Sequence, residues 1–196
     1  MHISEGVLSL PVITGGWALG AAGVALGLKK TPAERIPKTA LLSSALFLAS
    51  LVNVPVGPSS IHLTLLGLAG YILGFSALPA LFAALVLQGL LFQFGGLLSL
   101  GVNTAIMGSA ALSGFAVRRL FNNKNRLAGA FLAGFTAVII GTILIVLALA
   151  LSSYELLSTA ALILAANIPL AIVEGVLTLF IILFLERTKP DVLRQA

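Results

Sequence analysis

The residues with the clearest chemical potential are two histidines, His2 and His62, in a chain of 196 residues that has no cysteine. At position 2 the imidazole is joined to two backbone nitrogens, the free amine of Met1 and the amide of His2 itself. The amine and amide would close a five-membered ring on a metal ion, and the amide and imidazole Nδ1 would close a six-membered ring. Once the amide is deprotonated, this planar three-nitrogen set suits Ni²⁺ or Cu²⁺ and disfavours tetrahedral Zn²⁺.

The fourth in-plane position of such a chelate calls for another nitrogen, and His62 carries the other imidazole of the chain. We expect Met1 to be retained, because the bulky His2 disfavours its removal. The same two residues also fit a disordered N-terminal tail, since many unrelated proteins begin with Met-His. The sequence alone leaves both interpretations open.

The composition decides what kind of fold must position these residues. Of all residues 59% are hydrophobic and 9% are charged, which is too little charge to cover the surface of a soluble domain. From Thr39 to Val117 there is no Asp, Glu, Lys or Arg, over a length several times the roughly 20 residues that cross a bilayer. We therefore predict an all-α polytopic membrane protein with a single transmembrane domain over residues 1–196, because spanning segments must satisfy their own backbone hydrogen bonds.

The basic residues fall in three clusters, at 29–38, 118–126 and 187–194. The positive-inside rule places all three in the cytoplasm, so the net charge of +5 is no indication of nucleic acid as a partner. An even number of crossings must then separate successive clusters. Four fit between the first and second and two between the second and third, and one more, over about 11–28, precedes the first. This predicts about seven transmembrane helices, with the N-terminus outside and the C-terminus cytoplasmic.

Turn-forming residues mark the breaks within the charge-free stretch, at 53–60, 74–79 and 95–101. They leave a short third helix, from about Ile61 to Gly74. His2 and His62 then both lie at the outer end. Pairs of glycines four residues apart, such as Gly16 and Gly20, are expected to pack helices within the chain.

Several polar residues lie in or beside the apolar segments. Glu174 is in the middle of the last crossing, where it either acts near the metal site or forms an interhelical hydrogen bond, and we favour the bond. Asn53 is the best candidate to orient a metal ligand, because it lies near the outer end with His62. The remaining amides are expected to bond backbone or pack helices: Asn103, Asn167, Gln88 and Gln93.

Four ordered segments resemble the cobalt/nickel substrate-capture subunits of energy-coupling-factor transporters, the CbiM/NikM family. They are Met-His-Ile-Ser-Glu-Gly at 1–6, Val-Pro-Val-Gly-Pro-Ser-Ser-Ile-His-Leu at 54–63, the stretches 91–96 and 100–104, and Ile-Pro-Leu with Val-Glu-Gly at 168–175. The resemblance runs nearly end to end. Asn53 and Asn167 depart from it, since many relatives have histidine there, and this puts any auxiliary histidine role in doubt.

The resemblance implies a function as well as a fold. It implies binding of Ni²⁺ or Co²⁺ by the Met1 amine, the His2 amide and imidazole, and the imidazole of His62. Apart from the resemblance, Asn53, Ser60 and Glu174 are our candidates for residues that support these ligands. The metal is the transported ligand, and no cofactor is expected. The implied partners are a transmembrane coupling subunit, two cytoplasmic ATPase subunits and, in cobalt systems, a small accessory membrane subunit. The implied location is the prokaryotic cytoplasmic membrane.

The chain is expected to be a transport subunit and not an enzyme. It has no G-x-x-x-x-G-K-[ST] phosphate loop and cannot hydrolyse ATP by that route, so ATP-driven import would need a partner that supplies the energy. One alternative is a stand-alone secondary metal-ion transporter coupled through Glu174, which transport in ATP-free vesicles would support. A remote alternative is an intramembrane hydrolase that uses Ser109 or Ser113 with His62, and labelling by a serine-reactive probe would support it. The choice between nickel and cobalt stays open.

Overall fold

The structure, a computed structural model, describes residues 2–51, 54–56, 59–121, 125–153, 155 and 159–194. The side chains of 54–56, 59–61 and 194 are outside this description. Met1 and Asn53 therefore lie outside the described residues, and Ser60 is described only through its backbone.

The described residues form α-helices and one small β-hairpin. In chain order they are α1 (Leu10–Lys29), α2 (Ile36–Ala49), β1 (Val54–Val56), β2 (Ser59–Ile61), α3 (Leu66–Leu73), α4 (Ala77–Phe92), α5 (Leu100–Phe121), α6 (Arg126–Ser152), α7 (Ala160–Thr188) and α8 (Asp191–Arg194). Short 3-10 turns at Ala33–Arg35 and Gly74–Ser76 precede α2 and α4.

The helical membrane architecture is confirmed, and helices α1 to α7 correspond to the seven predicted segments. Helices α1, α5, α6 and α7 are each long and apolar enough to cross a bilayer. The other three are shorter, and α2 with its 14 residues is only about 21 Å long against a hydrocarbon core of about 30 Å. The count of seven crossings and the orientation of the termini therefore stay predictions.

The chain reverses direction between α3 and α4, although the two helices together form a long apolar stretch, Leu66–Phe92. Gly74 has φ +60°, a conformation that suits glycine, and a 3-10 turn follows it. Helix α3 runs down to the level of Arg118, which donates to the carbonyl of Tyr71 at 2.6 Å. Helix α4 then runs back up α5, with Leu78 beside Gly108. The predicted break at 74–79 is thus confirmed.

The predicted break at 53–60 contains the β-hairpin, in which Val54 pairs with Ile61 and Val56 with Ser59. The predicted start of the third helix near Ile61 is wrong, because α3 begins at Leu66. The reason is that Ile61 belongs to the hairpin, and Leu65, with φ +51°, has a left-handed backbone conformation that interrupts a helix just before Leu66.

Helix α3 is central to the packing, because all eight of its residues are buried. It lies against α5 and α6, which also contact each other, while α7 covers α6 and α1 lies on α5. Small residues permit these approaches, as at Gly20 against Gly101 and Gly70 against Ala111. The predicted packing of the glycine pairs within the chain is confirmed for these positions, whereas Gly23 meets no neighbour within 4 Å.

The two ends of the helix bundle differ in chemistry. The histidine end carries His2 and His62, and the basic end carries Lys30, Arg35, Arg118 and Arg119. Helix α5 connects them, since Asn103 in its first turns contacts Ile3 and Arg118 in its last turn contacts Tyr71.

The close packing of α3 on α6 gives a stability prediction. A Cβ on Gly67 would lie 2.5 Å from the Cα of Gly134, so Gly67→Ala should lower the free energy of unfolding by about 1–3 kcal/mol through overpacking. Gly15→Ala, at a helical glycine with no atom within 4 Å, is the matched control and should be neutral or slightly stabilising. Thermal unfolding in detergent measures both, and equal melting temperatures would contradict the predicted contact.

Candidate metal centre

The N-terminal segment is buried inside the bundle. His2 is 2% exposed and Ile3 is 0% exposed, although both precede the first helix. Ile3 belongs to an apolar cluster with residues of α5, α6 and α7, including Val102, Val138 and Ala171. The alternative of a disordered tail is therefore wrong for residues 2 and 3, whose side chains are held within the protein.

Asn103 of α5 fixes the backbone of this segment. Its Oδ1 accepts from the amide of Ile3 at 2.9 Å, and its Nδ2 donates to the carbonyl of Ile3 at 3.1 Å. One buried amide side chain thus satisfies both polar backbone groups of Ile3, as a neighbouring β-strand would. The expectation that Asn103 bonds backbone is confirmed, and the bonded backbone is next to a candidate metal ligand.

The loop between α4 and α5 closes over the same segment. Gly95 and Gly96 have φ +77° and +74°, and a Cβ on Gly95 would lie 2.9 Å from the Asn103 amide and 3.5 Å from the Cβ of His2. The amide of Leu98 donates to the Glu5 carboxylate at 3.1 Å. The loop therefore needs glycine both for its backbone conformation and for its approach to His2.

The imidazole of His62 is oriented by the backbone carbonyl of the next residue, Leu63. Its Nδ1 lies 2.8 Å from the carbonyl of Leu63, and a carbonyl oxygen can only accept, so Nδ1 carries the proton. This leaves the lone pair of the neutral ring on Nε2. The ring is 4% exposed, and its burial lowers the pKa of His62 well below the usual range, which keeps the ring neutral.

The two histidines meet through the atoms that a metal ion would use. His62 Nε2 lies 3.1 Å from His2 Nδ1, and the rings are stacked with centroids 4.6 Å apart and planes inclined by 20°. Two cis nitrogens, each about 2.0 Å from a metal ion, lie about 2.8–3.0 Å apart, so the observed separation is close to that of a shared ion. Burial also lowers the pKa of His2, and a neutral imidazole is the form that binds metal.

Glu174 of α7 positions the segment that follows His62. This carboxylate is 0% exposed and accepts from the backbone amides of Thr64 and Leu65, the latter at 3.0 Å. The favoured prediction of an interhelical hydrogen bond holds in a modified form, because the bonds go to the backbone that enters α3. A carboxylate at the N-terminus of a helix is also favoured by the helix dipole.

The other polar candidates have local partners or lie next to the histidines. Gln88, which is 2% exposed, places its side chain beside the His2 imidazole. Asn167 donates to Ile163 in its own helix at 2.8 Å. The hydroxyls of Ser109 and Ser113 donate to the carbonyls of Ala105 and Ala110 one turn back, which gives no support to a serine hydrolase.

In the described part of the chain, no three side chains of His, Cys, Asp or Glu come close enough to hold a metal ion together. Side chains alone thus provide two imidazole nitrogens. Any further ligand must come from another kind of group, and the backbone amide of His2 is a candidate because it belongs to the same residue as one of the imidazoles. Gln88 and Asn103 were recognised in the sequence as buried amides, but their approach to residues 2 and 3 could not be read from spacing.

The fold and the buried histidine pair define a helical membrane protein whose N-terminal segment is part of a candidate metal centre. Residues 2–192 match the family model of the cobalt uptake substrate-specific transmembrane region, CbiM, and the chain belongs to this family.

Relatives and solved structures agree with this assignment. The chain is 37% identical to a putative metal transport protein of Haemophilus influenzae, over 100% of this chain and 98% of the relative. It is 28% identical to a putative fused nickel transport protein, NikMN, of Archaeoglobus fulgidus, over 100% of this chain and 68% of the relative. The crystal structure of a truncated transition metal transporter superposes with a TM-score of 0.86 at 25% identity, over 95% of this chain and 99% of that one.

The hydrogen bonds of Asn103 to Ile3 should protect the N-terminal segment from amide hydrogen exchange. Asn103→Ala removes both bonds to Ile3 and should weaken the protection of that segment by about 1–3 kcal/mol, because two buried backbone groups lose their partners. Amide hydrogen exchange of a peptide covering residues 2–9 measures the loss. Thr104→Ala is the control, since this hydroxyl donates only to Leu100 of its own helix. Equal protection in both variants would contradict the assigned role.

Proposed function

We propose that this protein is the substrate-capture subunit of an energy-coupling-factor importer and binds Ni²⁺ or Co²⁺ as its transported substrate. One observation carries the proposal: His2 Nδ1 and His62 Nε2 face each other at 3.1 Å in a buried site. The family description names cobalt uptake, and the Archaeoglobus fulgidus relative is described as a nickel transport protein. Both metals suit nitrogen ligands.

The proposed ligand set is four nitrogens: the Met1 amine, the His2 amide, His2 Nδ1 and His62 Nε2. The first three nitrogens all belong to residues 1 and 2 and are connected by covalent bonds. The two chelate rings can therefore close without a contribution from the rest of the fold. His62 then occupies the position cis to His2 Nδ1, in agreement with the distance between the two atoms. Asn103 supports His2 through the backbone of Ile3, and Glu174 supports His62 through the backbone of Thr64. Asn53 and Ser60 are kept as proposed supporting residues.

The proposed cycle needs partners, because the chain contains no phosphate loop for ATP. These are a transmembrane coupling subunit, two cytoplasmic ATPase subunits and a small accessory membrane subunit. The fused relative supports association with further transporter components, since this chain accounts for 68% of its length. We place the protein in the prokaryotic cytoplasmic membrane, with the histidine end outside and the basic end in the cytoplasm.

A stand-alone secondary transporter is the second candidate, and it requires a buried group that couples to an ion gradient. Glu174 is the candidate group, but its carboxylate accepts two backbone amides at the start of α3. This engagement favours a positioning role over one in proton transfer. The substrate-capture subunit therefore remains the function that the site supports best.

The terminal amine provides the direct test of the proposed chelate. Acetylation of Met1, or a short extension before it, removes one ligand and prevents the five-membered ring from closing. The affinity for Ni²⁺ should fall by about hundredfold or more, equivalent to about 2.7 kcal/mol, in titration calorimetry of the purified protein. Parallel titrations with Co²⁺ measure the preference between the two metals.

The matched control carries the same short extension at the C-terminus and should bind as the unmodified protein does. His62→Ala with a free N-terminus should also lose affinity. An unchanged affinity after acetylation would show that the amine is not a ligand, even if His62→Ala still weakened binding.

A further inference from the structure

A polar cavity of about 400 Å³ opens at the basic end of the bundle, between the end of α1, the Gly74 turn and α5. Three cationic side chains line it, Lys30, Arg35 and Arg119, together with the rings of Phe75 and Phe115. The candidate metal centre has no part in this cavity, since its residues belong to the histidine end. A concave site with this charge is suited to an anion.

Aromatic rings hold two of the cations in place. Lys30 Nζ lies 3.7 Å from the centroid of the Phe75 ring, and Arg119 Cζ lies 4.5 Å from that of Phe115. The two rings contact each other edge to face, with centroids 5.6 Å apart. Cation–π contacts orient these side chains without neutralising their charge, so the cavity keeps a preformed positive wall.

No carboxylate neutralises this wall within the described residues. Lys30, Arg35 and Arg119 form no ion pair there, and the salt bridge that is found joins Arg126 to Glu186. Glu34 precedes Arg35 but is exposed and does not line the cavity. Arg118 differs from the three, because it donates to the carbonyls of Tyr71 and Leu193. The uncompensated charge calls for an anionic ligand such as a phosphate group.

An apolar groove on the same two helices lies next to the cavity, away from the basic end. It has a volume of about 190 Å³, and Leu19, Gly23 and Leu26 of α1 and Leu112 of α5 are among its lining residues. Leu26 lies one turn before Lys30, and Leu112 lies two turns before Arg119. Helical spacing therefore puts the apolar and the cationic residues on one continuous face of each helix.

We propose that α1, α5 and the Gly74 turn form a binding site for one anionic phospholipid. The phosphate lies between Lys30, Arg35 and Arg119, and an acyl chain lies in the groove over Gly23. The choice of a lipid over free phosphate follows from the groove, because a soluble anion would leave this apolar surface unused. Basic pockets between membrane helices are a common place for anionic lipid headgroups.

The headgroup contacts can be tested by native mass spectrometry of the full chain in detergent, titrated with phosphatidylglycerol, phosphatidylcholine or glycerol 3-phosphate. Phosphatidylglycerol should bind in preference to phosphatidylcholine. Lys30→Gln and Arg119→Gln should each lower the affinity for phosphatidylglycerol by about fivefold. The matched controls Lys29→Gln and Arg187→Gln remove exposed charges that do not line the cavity and should change binding by less than about twofold.

Three outcomes would overturn the proposal. Equal binding of phosphatidylcholine would mean that the cations do not select a charged headgroup. Equal losses in the control variants would reduce the effect to general surface charge. Competition by glycerol 3-phosphate at the affinity of the lipid would identify the site as one for a soluble phosphate.

The groove can be tested separately by filling it. A Cβ on Gly23 would meet no atom outside its own stretch of helix within 4 Å, so the fold should accept Gly23→Leu while the groove becomes occupied. Binding of phosphatidylglycerol should fall by about fivefold or more, because several acyl methylenes lose their contacts. Ala25→Leu, at an exposed position outside the groove, is the control. Equal affinities in the two variants would contradict a lipid chain in the groove.

Discussion

The pairing of the Asn103 amide with the backbone of Ile3 is the interaction on which the candidate metal centre depends. An N-terminal segment in an apolar bundle has polar backbone groups that need partners, and water is excluded around Ile3. A single asparagine on α5 bonds both the N–H and the C=O of Ile3. Burial of the apolar Ile3 side chain stabilises the same segment. This arrangement carries the imidazole of His2 to the level of His62.

The backbone around His62 is also held by a buried polar side chain. His62 is placed by a chain segment that is neither strand nor helix, between β2 and α3. Glu174 accepts the two amides just before α3, and the Leu63 carbonyl sets the tautomer of the His62 ring. Two polar side chains from different membrane helices, α5 and α7, thus fix two irregular segments against each other. Their burial is tolerated because their bonds are satisfied.

Much of this architecture could be predicted from the sequence. The first predicted crossing, over about 11–28, agrees with α1 within a residue, and the two crossings predicted between the second and third basic clusters correspond to α6 and α7. The breaks at 53–60 and 74–79 were also placed correctly. The start of α3 was wrong, because Ile61 pairs in the β-hairpin and the segment after it is held by Glu174, more than 100 positions away. Such long-range contacts leave no local pattern. For the same reason Asn103 and Gln88 could be identified as buried amides but not assigned to residues 2 and 3.

X-ray absorption spectroscopy of the nickel-loaded protein is the most direct test of the proposed planar set of four nitrogens around the transported ion. We predict a four-coordinate, square-planar Ni²⁺ spectrum with nitrogen ligands that include two imidazoles. A six-coordinate octahedral spectrum with oxygen ligands, or a tetrahedral one, would contradict the proposed chelate by Met1, His2 and His62.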